Sequence, residues 1–131
     1  MQLVNIKCDW GGHADLQLSL CAVEGYPNYL VVRFNGGLGT GTGNGFHLEM
    51  QAQIKKGYTY FILDCEKLTY LGSLGLGPLF SLLKTSRSMN GDVILTAIPN
   101  RIAETLSMLG LAKYFEVYPS LDEALKTISM R

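Results

Sequence analysis

The fold is decided by the stretch Tyr58–Met89, which reads YTYFILDCEKLTYLGSLGLGPLFSLLKTSRSM. Aromatic and β-branched residues dominate Tyr58–Leu63, and this composition predicts a buried strand that ends at Asp64. A short link, Lys67–Leu71, is expected to follow it. After Ser73, apolar residues recur at the spacing of one helix face, namely Leu76, Leu79, Phe80 and Leu83. The stretch therefore predicts a strand, a turn and a helix in direct succession.

Ser73 stands at the predicted start of this helix, where the preceding strand ends in a turn. The first turn of a helix offers unpaired backbone N–H groups and a partial positive charge, and both favour an anion. The position therefore suits a phosphate that is added and removed. The alternative is that Ser73 is only a helix N-cap, a role worth about 1 kcal/mol.

Pro78 raises a further question about where the helix begins. In the second turn of a helix, a proline would delete a backbone hydrogen bond. At the first helical position, the same residue is favourable. We therefore predict that the regular helix begins at Pro78 with Gly77 as its cap, and that residues 73–77 are irregular.

The remaining elements are predicted from hydrophobic periodicity and turn residues. Before the central strand they are the strands Leu16–Ala22 and Tyr29–Phe34, joined as a hairpin, and the helix Phe46–Lys56, ended by Gly57. After the central helix they are the strand Val93–Ala97, a helix from Pro99 to Gly110, the strand Tyr114–Tyr118 and a last helix capped by Ser120 with Glu123 in a capping box.

This order, β-β-α-β-α-β-α-β-α, predicts an α/β fold. It consists of a mixed, mostly parallel sheet of four to five strands with helices packed on it. We expect residues 1–131 to form a single domain, in which residues 1–15 are an N-terminal extension or an extra edge strand.

Composition excludes several classes of protein. The 131 residues include eleven basic and eleven acidic side chains, and the resulting zero net charge gives no reason to expect nucleic acid or a membrane surface as a partner. The apolar runs are shorter than the roughly 20 residues that a membrane-spanning helix needs. Three scattered cysteines do not make a disulfide framework, which is typical of a reduced, cytoplasmic protein.

No metal or catalytic centre is predicted. The histidines and cysteines have no metal-ligand spacing: they are His13, His47, Cys8, Cys21 and Cys65. Asp64 has no histidine or second carboxylate close to it in sequence with which to share a proton. We therefore expect neither enzymatic activity nor a cofactor.

A glycine-rich stretch, Gly36–Gly45, reads GGLGTGTGNG and precedes a predicted helix. It lacks the G-x-G-x-x-G pattern of dinucleotide-binding turns and the Gly-Lys-Ser/Thr ending of a P-loop. We expect a long mobile loop. The alternative is a small phosphate or nucleotide site, because repeated glycines let backbone N–H groups approach a phosphate closely.

A set of segments follows in a fixed order: Asp64, Ser73–Gly77 at the start of a helix, Gly91–Leu95, Leu106–Leu111 and Phe115–Tyr118. In this order and spacing, they resemble the STAS domain of bacterial anti-sigma factor antagonists. The resemblance extends over about Leu16–Ile128, which is nearly the whole chain.

The resemblance implies a regulatory role without catalysis. In that family, a partner that is both kinase and anti-sigma factor phosphorylates the serine of an Asp-Ser-x-Gly-Leu motif. The unphosphorylated form binds the partner and frees the sigma factor. Here the matching phosphoacceptor is Ser73, the implied partner is an anti-sigma factor or serine kinase, and homodimerisation is left open. The residues implied in contacts with the partner or an anion are Gly37, Leu38, Gly39, Thr40, Gly72, Leu74, Gly75 and Leu76.

Three positions depart from the family pattern. The aspartate before the serine is replaced by Gly72, and the family's Gly-Glu-Leu-Asp after the second strand appears as Gly36-Gly37-Leu38-Gly39. Two alternatives therefore stay open. One is a STAS scaffold or sensor whose phosphoswitch has decayed, and the other is a small-ligand or nucleotide-binding module that uses Gly39–Gly45.

Overall fold

A computed structural model describes residues 3–7 and 16–130 of the chain, with the backbone alone described for residues 3–7. The strands are β1 (Leu3–Lys7), β2 (Leu16–Val23), β3 (Tyr26–Leu38), β4 (Tyr60–Leu71), β5 (Asp92–Thr96) and β6 (Glu116–Tyr118). The helices are α1 (Gly43–Lys55), α2 (Ser73–Ser88), α3 (Asn100–Met108), a 3₁₀ turn at Ala112–Tyr114 and α4 (Leu121–Ser129).

The six strands form one sheet in the order β1-β2-β3-β4-β5-β6. β2 is antiparallel to both of its neighbours, β1 and β3, whereas β3, β4, β5 and β6 run parallel to one another. The predicted α/β class with a mixed, mostly parallel sheet is thus confirmed. The described residues form six strands, one more than the four to five predicted, and the additional strand is β1, which pairs with β2 as the extra edge strand that was one alternative for residues 1–15.

Helices cover the sheet unequally. The parallel strands follow one another in order, so right-handed crossovers carry α1, α2 and α3 to the same face. Buried residues from all three helices share one core there, including Phe46, Leu82 and Leu106. On the opposite face, α4 packs Ala124 and Ile128 against the middle of the sheet.

The central strand runs further than predicted. Asp64 was expected to end it, yet β4 continues through the predicted link Lys67–Leu71. Asp64 pairs with Thr96, the last residue of β5, so beyond Asp64 the strand β4 no longer pairs with β5. Beyond it, β4 still pairs with β3 as far as Leu71 opposite Leu38, with two register shifts on the way, between Arg33 and Asn35 and between Gly36 and Gly37.

The ends of the outer elements agree with the prediction to different degrees. The Ser120 hydroxyl accepts a hydrogen bond from the backbone N–H of Glu123 at 3.1 Å, which confirms the predicted cap of α4. Gly57, with φ of 107°, follows the end of α1 as expected. β3 begins at Tyr26, earlier than predicted, because the hairpin needs only the turn at Gly25, which has φ of 85°.

Candidate functional site

The candidate site lies where β3 and β4 end at one edge of the sheet and the chain turns into α1 and α2. The backbone N–H of Gly72 donates to the carbonyl of Leu38 at 2.8 Å, which ties the ends of the two strands together. The residues singled out from the sequence, from Gly37 to Thr40 and from Gly72 to Leu76, lie at the end of β3, in the turn after it and at the start of α2. Among them Ser73, Leu74 and Thr40 are exposed, whereas Leu38 and Gly75 are buried.

The turn between β3 and α1 is short and fixed. Gly36 to Leu38 belong to β3 and α1 begins at Gly43, so the predicted long mobile loop is wrong and residues 39–42 alone remain. Thr42 is 1% exposed, and its Oγ1 accepts a hydrogen bond from Gly39 N–H at 2.9 Å and donates one to Gly37 O at 2.8 Å. The buried Thr42 hydroxyl therefore connects the end of β3 to the residue just before α1.

Helix α2 begins at Ser73, which corrects the prediction of a start at Pro78. The N–H groups of Gly75 and Leu76 donate to the carbonyl of Gly72 at 2.9 and 3.2 Å, and these bonds form a regular first turn. Gly72 is the N-cap, with extended φ and ψ and no side chain to cap with. Ser73 is therefore the first helical residue and not the cap.

The Ser73 hydroxyl is exposed and uncommitted. Among residues 3–7 and 16–130, no group lies in hydrogen-bonding position to it. Backbone N–H groups at the first two positions of a helix have no acceptor within the helix. A phosphate on Ser73 would thus stand beside N–H donors at the positive end of a helix dipole without displacing an existing contact.

Pro78 lies inside α2, and the carbonyl that its missing N–H would have bonded faces α1. Proline has no N–H, so the carbonyl of Leu74, four residues earlier, lacks its usual helical hydrogen bond. Gly43 packs directly on this carbonyl, since a Cβ built on Gly43 would lie 2.3 Å from Leu74 O. The absence of a side chain at Gly43 lets the first turn of α1 pack on the first turn of α2.

The ring of Tyr70 lies on three glycines. A Cβ built on Gly37 would lie 2.0 Å from Tyr70 Cε1, one on Gly39 would lie 2.7 Å from Cε2, and one on Gly72 would lie 3.2 Å from Cε2. These are the three positions at which the sequence departs from the acidic residues of the family pattern. The ring is 44% exposed, so it forms part of the surface next to Ser73.

Tyr70 and Gly43 were both missed by the sequence analysis. Tyr70 is the cross-strand partner of Gly37, and an aromatic ring that covers a neighbouring glycine is a known device of sheets. The glycine stretch was therefore a usable signal, but only if β4 was extended past Asp64. For Gly43, the sequence showed that Pro78 lacks an N–H. It did not show that Gly43 on α1 packs on the carbonyl of Leu74.

A groove runs beside Ser73 between α1 and α2. It encloses about 480 Å³ and is lined by Gly39, Gly41, Asn44, His47, Leu74, Gly77, Pro78 and Ser81. This lining contains no Asp, Glu, Lys or Arg. Gly77 leaves open space, because a Cβ built there would meet no atom within 4 Å.

Asp64 and Cys65, on the central strand, do not belong to this surface. Asp64 lies on the α4 side of the sheet, where its Oδ2 is 3.7 Å from Arg33 Nε and its Oδ1 accepts from Glu66 N–H at 3.2 Å. Burial raises the pKa of the Cys65 thiol to about 12, so this thiol stays protonated at neutral pH. Neither side chain reaches Ser73.

Two other kinds of feature are absent from the described residues. In residues 16–130, no three histidine, cysteine or acidic side chains lie close enough to hold a metal ion together. No helix within the same residues is long and apolar enough to cross a membrane. Cys8 and His13 lie outside the described residues.

Comparison with known proteins gives a family and a fold. The model of the STAS domain matches residues 21–124. Among curated proteins, the "Putative anti-sigma factor antagonist BtrV" of Bordetella bronchiseptica is 24% identical over 109 residues, which cover 83% of this chain and 91% of that protein.

Two solved structures share the architecture. The anti-sigma factor antagonist SpoIIAA in its unphosphorylated form has a TM-score of 0.72 at 18% identity, over 88% of this chain and 97% of that one. The Bacillus cell fate determinant SpoIIAA in its phosphorylated form has a TM-score of 0.65 at 18% identity, over 86% and 98% of the two chains. At this identity, the likeness concerns the fold alone.

Proposed function

The chain belongs to the STAS domain family, and we propose that it is an anti-sigma factor antagonist-like regulatory protein switched by phosphorylation of Ser73. Its partner would be an anti-sigma factor that is also a serine kinase, and both binding and phosphorylation would take place in the cytoplasm. The observation that carries this proposal is the state of Ser73, which is exposed at the first position of α2 with its hydroxyl in no hydrogen bond to the described residues.

The proposed switch acts on the interface and leaves the fold intact. Phosphorylation adds about −1.5 to −2 charges and three acceptor oxygens. At the N-terminus of α2, the free domain tolerates this charge. In a docked complex, the same charge would be buried against the partner, and a cost of a few kcal/mol lowers affinity by orders of magnitude. Unphosphorylated protein therefore binds, and phosphorylated protein is released.

The test is intact-mass analysis of the protein purified from its native cells during growth and under stress. The proposal expects one added phosphoryl group under at least one condition, and its loss in Ser73→Ala. Ser81→Ala, which removes another serine of the same helix, is the matched control and should keep the modification. Wild-type protein that is unmodified under every condition would overturn the proposal.

A second candidate is a STAS scaffold or sensor in which the switch has been lost. The observation that favours it is the Tyr70 ring, which overlaps the space that side chains at Gly37 and Gly39 would occupy. The two candidates differ in one measurable property. A scaffold binds its partner equally well as wild type and as Ser73→Asp, whereas a phosphoswitch loses binding on this substitution.

A third candidate is binding of a nucleotide or another small ligand in the α1–α2 groove. Its open volume of about 480 Å³ lies within the roughly 300–1,000 Å³ of small-molecule sites. Titration with a fluorescent nucleotide tests this function. Gly77→Leu should abolish binding by filling the groove, and it is preferable to a change at Gly43, where any side chain would disturb helix packing.

A further inference from the structure

We propose that Tyr70 determines partner specificity, as the central contact of a docking surface for a protein that presents an uncharged, apolar patch. This surface comprises Tyr70, the exposed Leu74 and the adjoining α1–α2 groove. The inference rests on the proposed function in so far as that function places a protein partner next to Ser73.

The backbone beneath the Tyr70 ring consists of glycines that leave room for it. Side chains at Gly37 or Gly39 would overlap the ring, at 2.0 and 2.7 Å from its atoms. The glycines therefore let one side of the ring lie against the backbone, while Tyr70 is still 44% exposed. Tyrosine has only two rotatable side-chain bonds, so fixing its ring against a partner costs little conformational entropy.

The neighbourhood of the ring is apolar and exposed. Leu74 is 61% exposed on the first turn of α2, and it lines the groove together with Gly39, which also lies under the Tyr70 ring. An exposed tyrosine beside an exposed leucine is typical of the contacts that carry most of the energy in protein interfaces. Because these residues surround Ser73, a partner that covers them also covers the phosphoacceptor.

Charge is absent from this part of the chain. Residues 37–48 and 68–83 contain no Asp, Glu, Lys or Arg, although the chain has eleven acidic and eleven basic residues in all. A basic or acidic group buried against this surface would lose its hydration without gaining an opposite charge. Interface centres are generally depleted of charge. The partner surface that fits is therefore uncharged and apolar at its centre.

The test uses a random peptide library displayed on phage, selected against the immobilised wild-type chain. The affinity of each enriched peptide is then measured for wild type, Tyr70→Ala, Leu74→Glu and Tyr114→Ala by fluorescence anisotropy. Tyr114 is the matched control because it is also 44% exposed but lies before β6, at the opposite end of the sheet. Tyr70→Phe is included because it keeps the ring and is expected to fold if Tyr70→Ala does not.

The proposal expects peptides with an apolar, uncharged centre. Their affinity should fall about tenfold or more for Tyr70→Ala and Leu74→Glu, and should stay within about twofold for Tyr114→Ala and Tyr70→Phe. Enrichment of charged peptides, affinities insensitive to Tyr70, or no enrichment over a blank support would overturn it.

Failure of the phosphoswitch gives a separate result. Peptides that depend on Tyr70 and bind Ser73→Asp as well as wild type would support the docking surface and contradict the switch. Phosphorylated Ser73 together with Tyr70-insensitive peptides would support the switch and overturn the docking surface.

Discussion

The glycines around Ser73 fall into two groups that differ in what they touch. On the helix side, Gly43 and Gly75 face backbone, since a Cβ on Gly75 would lie 2.5 Å from Leu38 O. On the strand side, Gly37 and Gly39 face the Tyr70 ring. A backbone carbonyl cannot retreat without disturbing a strand or a helix, whereas a ring can turn about its side-chain bonds. The first group therefore sets how the helices pack, and the second sets where one exposed side chain lies.

The largest effect should come from the helix side. Gly75→Ala should lower the free energy of unfolding by about 2–3 kcal/mol, because its Cβ has only the Leu38 backbone and side chain to displace. Urea unfolding followed by circular dichroism measures the loss. A cost below that of alanine at Gly37 would reverse the comparison between the two groups.

The strand side should show coupling to a single side chain. Gly37→Ala should cost about 1–2 kcal/mol in the wild type, since it pushes the Tyr70 ring out of place. In a Tyr70→Ala background, the same substitution should cost about 1 kcal/mol less. A double-mutant cycle measures this coupling energy, with Gly75→Ala as a control whose cost should be the same in both backgrounds. Additive costs for Gly37 and Tyr70 would show that the ring does not rest on this glycine.

A pair of serines extends the comparison from packing to function. Ser120→Ala should destabilise the protein by about 1 kcal/mol, because it removes the hydrogen bond from Glu123 N–H that caps α4. Ser73→Ala should change stability by less than about 0.5 kcal/mol, because Ser73 follows the cap and makes no capping bond. Thermal unfolding of both variants, side by side, measures the difference. Equal losses would give Ser73 a structural role.

The smallest effect is expected at Gly77. This residue lies inside α2 directly before Pro78, and a Cβ built on it would meet no atom within 4 Å apart from its chain neighbours and the nearby helix backbone. In Gly77→Ala, the gain in helix propensity should be offset by crowding between the new Cβ and the Pro78 ring, so the free energy of unfolding should change by less than about 0.5 kcal/mol. Urea unfolding measures the change, and a loss above about 1 kcal/mol would show that the crowding by Pro78 outweighs the helix propensity.

The sequence predicted the elements of this fold better than their ends. Local sequence signals were sufficient to predict a feature that depends on neighbouring residues alone, such as the cap that Ser120 provides for α4. They failed at Asp64, because whether a strand continues depends on its neighbours in the sheet and not on its own residues. The same limit hid Tyr70, whose glycine partner lies 33 positions earlier in the chain.

Pro78 shows how a local rule can be outweighed. The rule that proline disfavours a helix interior holds for an isolated helix, where the lost hydrogen bond has no compensation. In this chain, the turn from Gly72 to Leu76 is closed by two hydrogen bonds that do not involve Pro78, so the helix begins at Ser73 although the proline follows. The sequence analysis therefore placed the start of the regular helix five residues too late, and phosphorylation of Ser73 stays a prediction.

The hydroxyl of Thr42 has a consequence for how the length of this chain can vary. It bonds to Gly37 and Gly39 across a turn of four residues, so a single inserted residue would pull the oxygen away from one of its two partners. Insertions during evolution, and peptide tags in the laboratory, are therefore disfavoured between β3 and α1. The hairpin tip at Gly25, which is exposed and meets no neighbouring atom, is a better place to lengthen the chain or attach a label.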